Sequence, residues 1–349
     1  MSSIFDSRET YKPYDYPEVE KRFTEPVQDN YWIHRELEFS RDVQDYKTEL
    51  SEIDKDIVSR ILRTFAEVET HVADDLWSKI PKFLPRPEFC EMAYTFSENE
   101  SRHASAYFRI NEELNLIHFE PYTKDPILTE KFDNLITNSI DFDFDKTNPE
   151  HIKRFAFGLG LFSSFTERVA LFGQFMILKS FSANGRNLMK KVSNVIDWSK
   201  KEESLHGDAG IYIFNKIKDE CPYIWTNEFK SSIYTAFTNG IRIETNLIND
   251  IFDGHDLPNL TANEVVNYMK DRANDSLIKL GLKPIFDIDD ELLEGVSWFG
   301  HESKATQFTD FLAGNRPTAY AKNQVVFDRD SVRPSDNLMN NIESKYIKK

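Results

Sequence analysis

Apolar residues recur every three or four positions along most of the chain, which is the spacing of one face of an α-helix. The pattern predicts six long helices, over residues 52–79, 87–116, 149–181, 185–216, 224–252 and 262–281. The first forty or so residues carry scattered prolines and aromatics and are interpreted as an irregular arm. After Phe311 the chain becomes polar, as is typical of a flexible tail. We therefore predict an all-α bundle, with one domain over residues 1–310 and a flexible C-terminal tail over residues 311–349.

The segment 155–181 is long and mostly apolar, and its length would suit a membrane-spanning helix. Glu167 and Arg168 lie near its middle and Lys179 near its end, and charges at those depths are costly in lipid. We expect a helix buried in a protein core, and no membrane partner. No basic region followed by an apolar stretch opens the sequence, so no signal peptide is expected.

Composition excludes several classes of function. The net charge of −16 argues against a nucleic-acid-binding surface, which needs clustered positive charge. The two cysteines, Cys90 and Cys221, are too few for a disulfide scaffold or a four-cysteine zinc site, and they suit the reducing cytoplasm. Glycine is scarce, at 12 of 349 residues, and no glycine-rich phosphate loop is present.

Certain acidic residues fall on the apolar faces of their predicted helices. Glu69 follows Phe65 by four positions and precedes Val72 by three, so it belongs to the inward face of the first helix. Glu167 is embedded in an apolar run of the third helix. The inward faces of the second and fourth helices are Phe89, Ala93, Phe96, Glu100, His103, Tyr107 and Ile110, and Val192, Ile196, Ser199, Glu203, His206 and Ile213.

Four inward carboxylates without enough inward cations would repel one another, and each buried charge is costly unless it is paired or bound to a metal. Two divalent metals remove this cost. One Glu from each of two helices, and a Glu-x-x-His from each of the other two, is the ligand pattern of ferritin-like dimetal carboxylate bundles. The simpler alternative is a set of core histidines and acids that are satisfied by hydrogen bonds and salt bridges.

These residues also resemble a known family. The segment from Glu100 to Tyr107, ESRHASAY, is similar to the Glu-x-x-His-x-x-x-Tyr segment of class I ribonucleotide reductase small subunits, and ESLH, from Glu203 to His206, is similar to the second metal motif of that family. The resemblance runs from about residue 25 to 320. Near the N-terminus it includes Trp32 and the later Ser-Arg-Asp at 40–42, and near the C-terminus it includes Asp-Phe-Leu at 310–312 and the later Tyr320.

The resemblance implies that Glu69, Glu100, His103, Glu167, Glu203 and His206 bind two metal ions per protomer, with iron expected and manganese or a mixed manganese/iron pair as alternatives. It implies that the metals react with oxygen and oxidise Tyr107 to a stable radical. Phe96, Phe108, Leu171, Phe172 and Phe175 are the residues expected to shield that radical.

The resemblance also implies a route for the radical and a set of partners. Trp32, linked to His103 through Glu202, is the expected internal step, and Tyr320 is the expected step in the tail. The tail would bind the large catalytic subunit, which holds the ribonucleoside di- or triphosphate. A homodimer is expected, and a flavodoxin-like activase if the metal is manganese.

Two positions depart from the family pattern. Glu69 and Glu202 stand where the family usually has aspartate. A glutamate at the first position occurs in the manganese/iron branch, but that branch has phenylalanine in place of the radical tyrosine, and this chain has Tyr107. Two alternatives are a ferritin-like ligand-binding oxidase, which would form a tyrosine crosslink where this chain has Phe162 and Phe165, and an iron-storage bundle.

Overall fold

Six long helices dominate the structure, as the apolar pattern predicts. The structure is a computed structural model that describes residues 3–116, 124–137, 140 and 142–300, with the backbone alone at 66, 67, 70–75 and 134–137. Within these residues the long helices are α1 Glu52–Asp75, α2 Pro87–Glu113, α3 Pro149–Ser180, α4 Lys190–Glu220, α5 Asn227–Phe252 and α6 Ala262–Lys279. The all-α prediction is confirmed.

Local sequence signals explain where these helices begin. Ser51 and Thr261 open α1 and α6 with capping boxes, in which each side chain accepts a hydrogen bond from the backbone N–H three residues later. Helix α4 begins at Lys190, five residues after the predicted start. Asn184, Gly185, Asn187 and Met189 have φ values of 49°, 84°, 56° and 52°, and a left-handed backbone cannot continue a right-handed helix.

The prediction of an irregular N-terminal arm was wrong for residues 17–29. This stretch forms three consecutive short helical segments, Pro17–Val19, Glu20–Thr24 and Glu25–Asp29. Pro17 and Pro26 lie in the first turns of their segments, where a missing backbone N–H costs nothing. Other short helices that the pattern did not predict are His34–Glu36, Ser40–Thr48, Ile80–Phe83, Pro126–Thr137, Pro222–Ile224 and Asp290–Gly295. Residues Trp77–Lys79, predicted as the end of α1, form a separate 3₁₀ helix.

Helix α3 changes its winding in the middle. It is α-helical over Pro149–Leu161, π-helical over Phe162–Ala170 and α-helical again over Leu171–Ser180. By length and composition α3 could cross a membrane, but 89% of its most apolar window is buried inside the protein. This burial is what a core helix requires.

The long helices pack so that the inward faces of α1 to α4 meet. Helix α1 lies along α2, and α4 lies along the π-helical part of α3. Helix α2 also contacts α4, while α5 and α6 pack on each other and α6 covers α3 from outside. Among the described residues no β-strand forms, and a single antiparallel bridge joins Leu257 to Leu260.

Candidate metal centre

Four carboxylates and two imidazoles meet between α1, α2, α3 and α4. All six side chains have no exposed surface, and they are the residues predicted from the inward faces: Glu69, Glu100, His103, Glu167, Glu203 and His206. They form two overlapping groups, in each of which the ligand atoms lie within 4.8 Å of one another. Glu69 and His103 belong to one group, Glu167 and His206 to the other, and Glu100 and Glu203 to both. Each group could hold one metal ion, and the two groups share the carboxylates of Glu100 and Glu203.

Local structure explains how α3 reaches this cluster. Glu167 lies in the π-helical segment, a winding that is rare and often marks functional sites. Two glycines of α4 allow α3 to approach closely. A Cβ at Gly210 would lie 1.8 Å from Ser163 Oγ, and a Cβ at Gly207 would lie 2.9 Å from the Ser163 carbonyl oxygen. Our sequence reasoning missed both glycines, although two glycines three positions apart lie on the same helix face and signal a close helix contact.

The polar atoms of the cluster fit a pair of metals. Buried polar atoms are normally hydrogen-bonded, yet several atoms here have no hydrogen-bond partner among the described residues. They are both oxygens of Glu69 and Glu203, Oε1 of Glu100, Oε2 of Glu167 and both ring nitrogens of His206. His103 Nδ1 lies 2.9 Å from Glu203 Oε1, and His206 Nδ1 lies 2.7 Å from Glu100 Oε1 without hydrogen-bonding geometry. Carboxylate oxygens and imidazole nitrogens that face one another are the donor set that iron or manganese accepts.

Without metal, the cluster retains protons. Burial and then the charges of Glu203 and Glu100 raise the pKa of Glu69 well above its usual value. Burial also raises the pKa of Glu167, with the charge of Glu203 adding to the effect. Burial lowers the pKa of His206, but the neighbouring carboxylates of Glu100 and Glu203 together outweigh it and raise that pKa to about 10. Protons therefore supply part of the positive charge that the four carboxylates require.

A polar chain leads outward from His103. Trp32 Nε1 donates a hydrogen bond of 2.9 Å to Glu202 Oε2, and the same oxygen lies 2.7 Å from His103 Nε2. The Arg102 guanidinium lies 3.5 Å from Glu202 Oε1. Burial opposes it, but the hydrogen bond to His103 lowers the pKa of Glu202, so this carboxylate is ionised. The glutamate that replaces the family's aspartate does bridge the tryptophan to the histidine.

Trp32 is buried between two other rings. Its indole stacks on His103 with ring centroids 5.9 Å apart, and it lies 5.1 Å from the half-buried Trp198. Only 2% of Trp32 is exposed.

Tyr107 lies in a dry environment. Its hydroxyl donates a 2.9 Å hydrogen bond to Ser199 Oγ, and its ring stacks on Phe65 at 4.7 Å. Phe175 packs behind Phe65, with ring centroids 5.2 Å apart. Burial, followed by the charge of Glu69, raises the pKa of Tyr107 well above its usual value, so the phenol keeps its proton.

One predicted shielding residue was wrong. Phe108 is 46% exposed, because it follows Tyr107 by one position and so lies about 100° around the helix from it. Phe96, Leu171, Phe172 and Phe175 are buried as predicted. Phe96 packs on His206, with ring centroids 4.1 Å apart. Phe65 shields the tyrosine ring and was missed, although it stands on the same inward stripe as Glu69.

Sequence reasoning also missed Trp77. It lies in the short helix Trp77–Lys79 that follows α1, and it is fully buried. Its Nε1 donates a 2.8 Å hydrogen bond to Glu167 Oε1. An aromatic residue eight positions after Glu69, in a stretch predicted to be helical, carried no signal of this contact.

Part of the predicted route lies outside the described residues. Tyr320 and the tail over residues 311–349 lie there, and so does the predicted domain boundary at residue 310. These remain predictions.

Comparison with known proteins identifies relatives along most of the chain. The sequence profile of the family described as "Ribonucleotide reductase, small chain" matches residues 8–292. A probable ribonucleoside-diphosphate reductase small subunit of Invertebrate iridescent virus 3 is 26% identical over 340 residues, which cover 93% of this chain and 87% of that protein.

Solved structures share the fold. The ribonucleotide reductase R2 subunit of Clostridium botulinum superposes with a TM-score of 0.71 at 18% identity, over 82% of this chain and 88% of that one. The dimanganese(II) NrdF of Streptococcus sanguinis superposes with a TM-score of 0.67 at 20% identity, over 83% of this chain and 99% of that one. At these identities the likeness shows a common architecture.

Proposed function

The chain belongs to the ribonucleotide reductase small-chain family, and we propose which of its residues carry out the work of this oxidoreductase subunit. As a small subunit of ribonucleoside-diphosphate reductase it has a dimetal carboxylate site and a large subunit as its partner. The proposal concerns the ligands, the metal, the radical and the route by which the radical leaves.

Six side chains would hold the metals. Glu69 and His103 would bind one ion, Glu167 and His206 would bind the other, and Glu100 and Glu203 would bind both. The observation that carries this assignment is the set of buried, unpartnered oxygens and nitrogens that these residues turn toward one another. Iron is the metal we expect. Manganese or a mixed pair is the alternative, and a dimanganese relative of the same fold is known.

Tyr107 would store the oxidising equivalent. Once bound and oxidised by dioxygen, the metals would supply a one-electron oxidant in the dry core. Tyr107 would give up an electron to that oxidant and its hydroxyl proton to a basic group of the metal site, while Ser199 Oγ, which accepts the phenol's hydrogen bond, would orient the hydroxyl. Phe65 and Phe175 exclude water from the ring, which a long-lived radical requires.

Trp32 and Tyr320 would carry the equivalent outward. Glu202 accepts hydrogen bonds from both Trp32 and His103, so it holds the Trp32 indole beside this metal ligand. The same carboxylate could take the indole N–H proton when Trp32 is oxidised. Beyond Trp32, the tail from residue 311 would reach the large subunit and present Tyr320 to it. A tail that orders on binding pays an entropic cost, and dimerisation of the subunit would offset it by providing two tails. We expect a cytoplasmic homodimer, with a flavodoxin-like activase as an additional partner if the metal is manganese.

Metal analysis tests the ligand assignment. Purified protein loaded with ferrous or manganous ion should hold two ions per protomer, and His103→Ala and His206→Ala should lower the occupancy, because each removes a ligand. His255→Ala is the matched control, since His255 is exposed and lies outside the cluster. Full occupancy in both ligand variants would refute the assignment, and loading far beyond two ions would indicate iron storage.

A further inference from the structure

The two halves of the metal cluster are supported in opposite ways. In the first half, Glu69 and His103, the histidine is anchored: its Nε2 is hydrogen-bonded to Glu202, while neither oxygen of Glu69 has a partner among the described residues. In the second half, Glu167 and His206, the carboxylate is anchored. Glu167 Oε1 accepts the hydrogen bond from Trp77, while neither ring nitrogen of His206 has a hydrogen-bond partner in the described part of the chain.

Trp77 contacts both residues of the second half. Its N–H is bonded to Glu167 at 2.8 Å, and its ring packs edge-on against His206, with centroids 5.8 Å apart and planes at 63°. Phe96 packs on both of these rings, with its ring centroid 4.8 Å from that of Trp77 and 4.1 Å from that of His206. The second half is thus held by one hydrogen bond and by aromatic packing, where the first half is held by a charged network.

The backbone explains why the indole lies here. Helix α1 stops at Asp75, and Leu76 adopts φ −121° and ψ −75°, which turns the chain out of the helix. Trp77 then begins a short 3₁₀ helix with its side chain fully buried. A buried tryptophan N–H needs an acceptor. If Trp77 had only a packing role, any backbone carbonyl oxygen could be that acceptor. Here the acceptor is an oxygen of a candidate metal ligand, and that contact favours the ionised, ligating form of Glu167.

We propose that Trp77 is a positioning residue for the second half of the metal site, fixing the plane of the Glu167 carboxylate through its N–H and the ring of His206 through the edge-on contact of its indole. This inference rests on the proposed metal-binding function. It predicts that the two metal positions are inequivalent, and that the Glu167/His206 position depends on Trp77 while the Glu69/His103 position does not.

Trp77→Phe tests the inference, because phenylalanine retains an aromatic ring but has no N–H donor. Crystals of wild type and variant would be equilibrated with graded Mn²⁺, and the occupancy of each position would be measured from anomalous scattering. Loss of an outer hydrogen bond to a ligand typically weakens metal binding about 10- to 100-fold. We expect a loss of this size at the Glu167/His206 position and unchanged binding at the other. Trp225→Phe is the matched control, since Trp225 is a half-buried tryptophan that packs on Phe214 and Phe229 instead.

The outcomes separate this inference from the assignment beneath it. Equal weakening of both positions would mean that Trp77 acts only on general stability, and unchanged binding at both would mean that its N–H is irrelevant. Either result overturns the inference and leaves the ligand assignment standing. If wild type does not hold two ions at these residues, the proposed function fails and the role of Trp77 fails with it.

A measurement on unaltered protein covers the case in which Trp77→Phe does not fold. In ¹⁵N-labelled protein the indole N–H signal of Trp77 can be assigned by elimination, from phenylalanine variants of the other four of the five tryptophans. Titration with Zn²⁺, a diamagnetic probe, should shift this signal as the Glu167/His206 position fills, and should leave the Trp225 signal in place. A Trp77 signal that does not move through saturation would contradict the inference.

Discussion

Loading the cluster with metal should release protons. In the metal-free protein, burial and neighbouring charges favour the protonated forms of four ligands. Burial and neighbouring carboxylates raise the pKa values of Glu69 and Glu167. Burial opposes protonation of the two histidines, but the hydrogen bond that His103 donates to Glu100 raises the pKa of His103, and the charge of Glu100 contributes to raising that of His206 to about 10.

Metal ligands must be deprotonated carboxylate or neutral imidazole, so metal displaces these protons. Up to two carboxyl protons and two imidazolium protons per protomer should leave when both positions fill, and the proton of His206, whose pKa is raised to about 10, is among them. The raised pKa values determine how the metal affinity changes with pH. Below them the protons compete with metal, so the apparent affinity for the pair of ions should rise with pH, by about 1.4 kcal/mol per pH unit for each proton displaced. The dependence should flatten only as the pH approaches the raised values, about 10 for His206.

Calorimetric titration with Mn²⁺ at pH 7 in two buffers of different ionisation enthalpy measures the number of protons released. We expect between one and four per protomer for two ions bound, with the proton of His206 as the minimum, and injection of Mn²⁺ into buffer alone is the control. Release of fewer than one proton would show that the metal-free carboxylates are already ionised and the imidazoles neutral. The argument from burial and mutual repulsion would then be wrong, whatever the metal occupancy.

Three further predictions concern the radical and its route. Ser199→Ala should lower the free energy of unfolding by about 1–3 kcal/mol, because the buried Tyr107 hydroxyl loses its hydrogen-bond acceptor. The same variant should alter the g-values of the tyrosyl radical, and an unchanged spectrum would mean that this hydrogen bond is absent in the radical state. Trp32→Phe should keep metals and the Tyr107 radical but abolish nucleotide reduction with the large subunit, and normal turnover would exclude Trp32 from the route. Tyr320→Phe should keep metals, radical and large-subunit binding and lose turnover, whereas deletion of residues 335–349 should lose the binding; turnover by Tyr320→Phe would make Tyr346 the next candidate.

The sequence predicted best those features that depend on helical periodicity. Glu69, Glu100, Glu167 and Glu203 could be identified because a charged residue on an apolar stripe must point into the core. The bounds of α1 and α2 were close for the same reason. Periodicity also placed Ser199 on an inward stripe, although its contact with Tyr107 depends on how α2 and α4 pack.

The features that sequence reasoning missed depend on tertiary contacts or on small changes in backbone winding. A π-helical turn differs from an α-turn by one residue, and apolar side chains all around α3 hide that difference. Trp77 falls just past the end of α1, where the pattern continued the helix and gave no direction for the indole. Phe108 was an avoidable error, since two adjacent helical residues cannot share one face.

Electron paramagnetic resonance of wild type and Tyr107→Phe, after loading with ferrous ion and exposure to oxygen, tests the central claim most directly. The account predicts a tyrosyl signal in wild type and no such signal in Tyr107→Phe, with both proteins holding two ions per protomer. A tyrosyl signal that persists in Tyr107→Phe would show that another residue is oxidised. Two bound ions with no tyrosyl signal in wild type, under iron or under manganese with a suitable oxidant, would contradict radical storage on Tyr107 and assign that role to the metal pair.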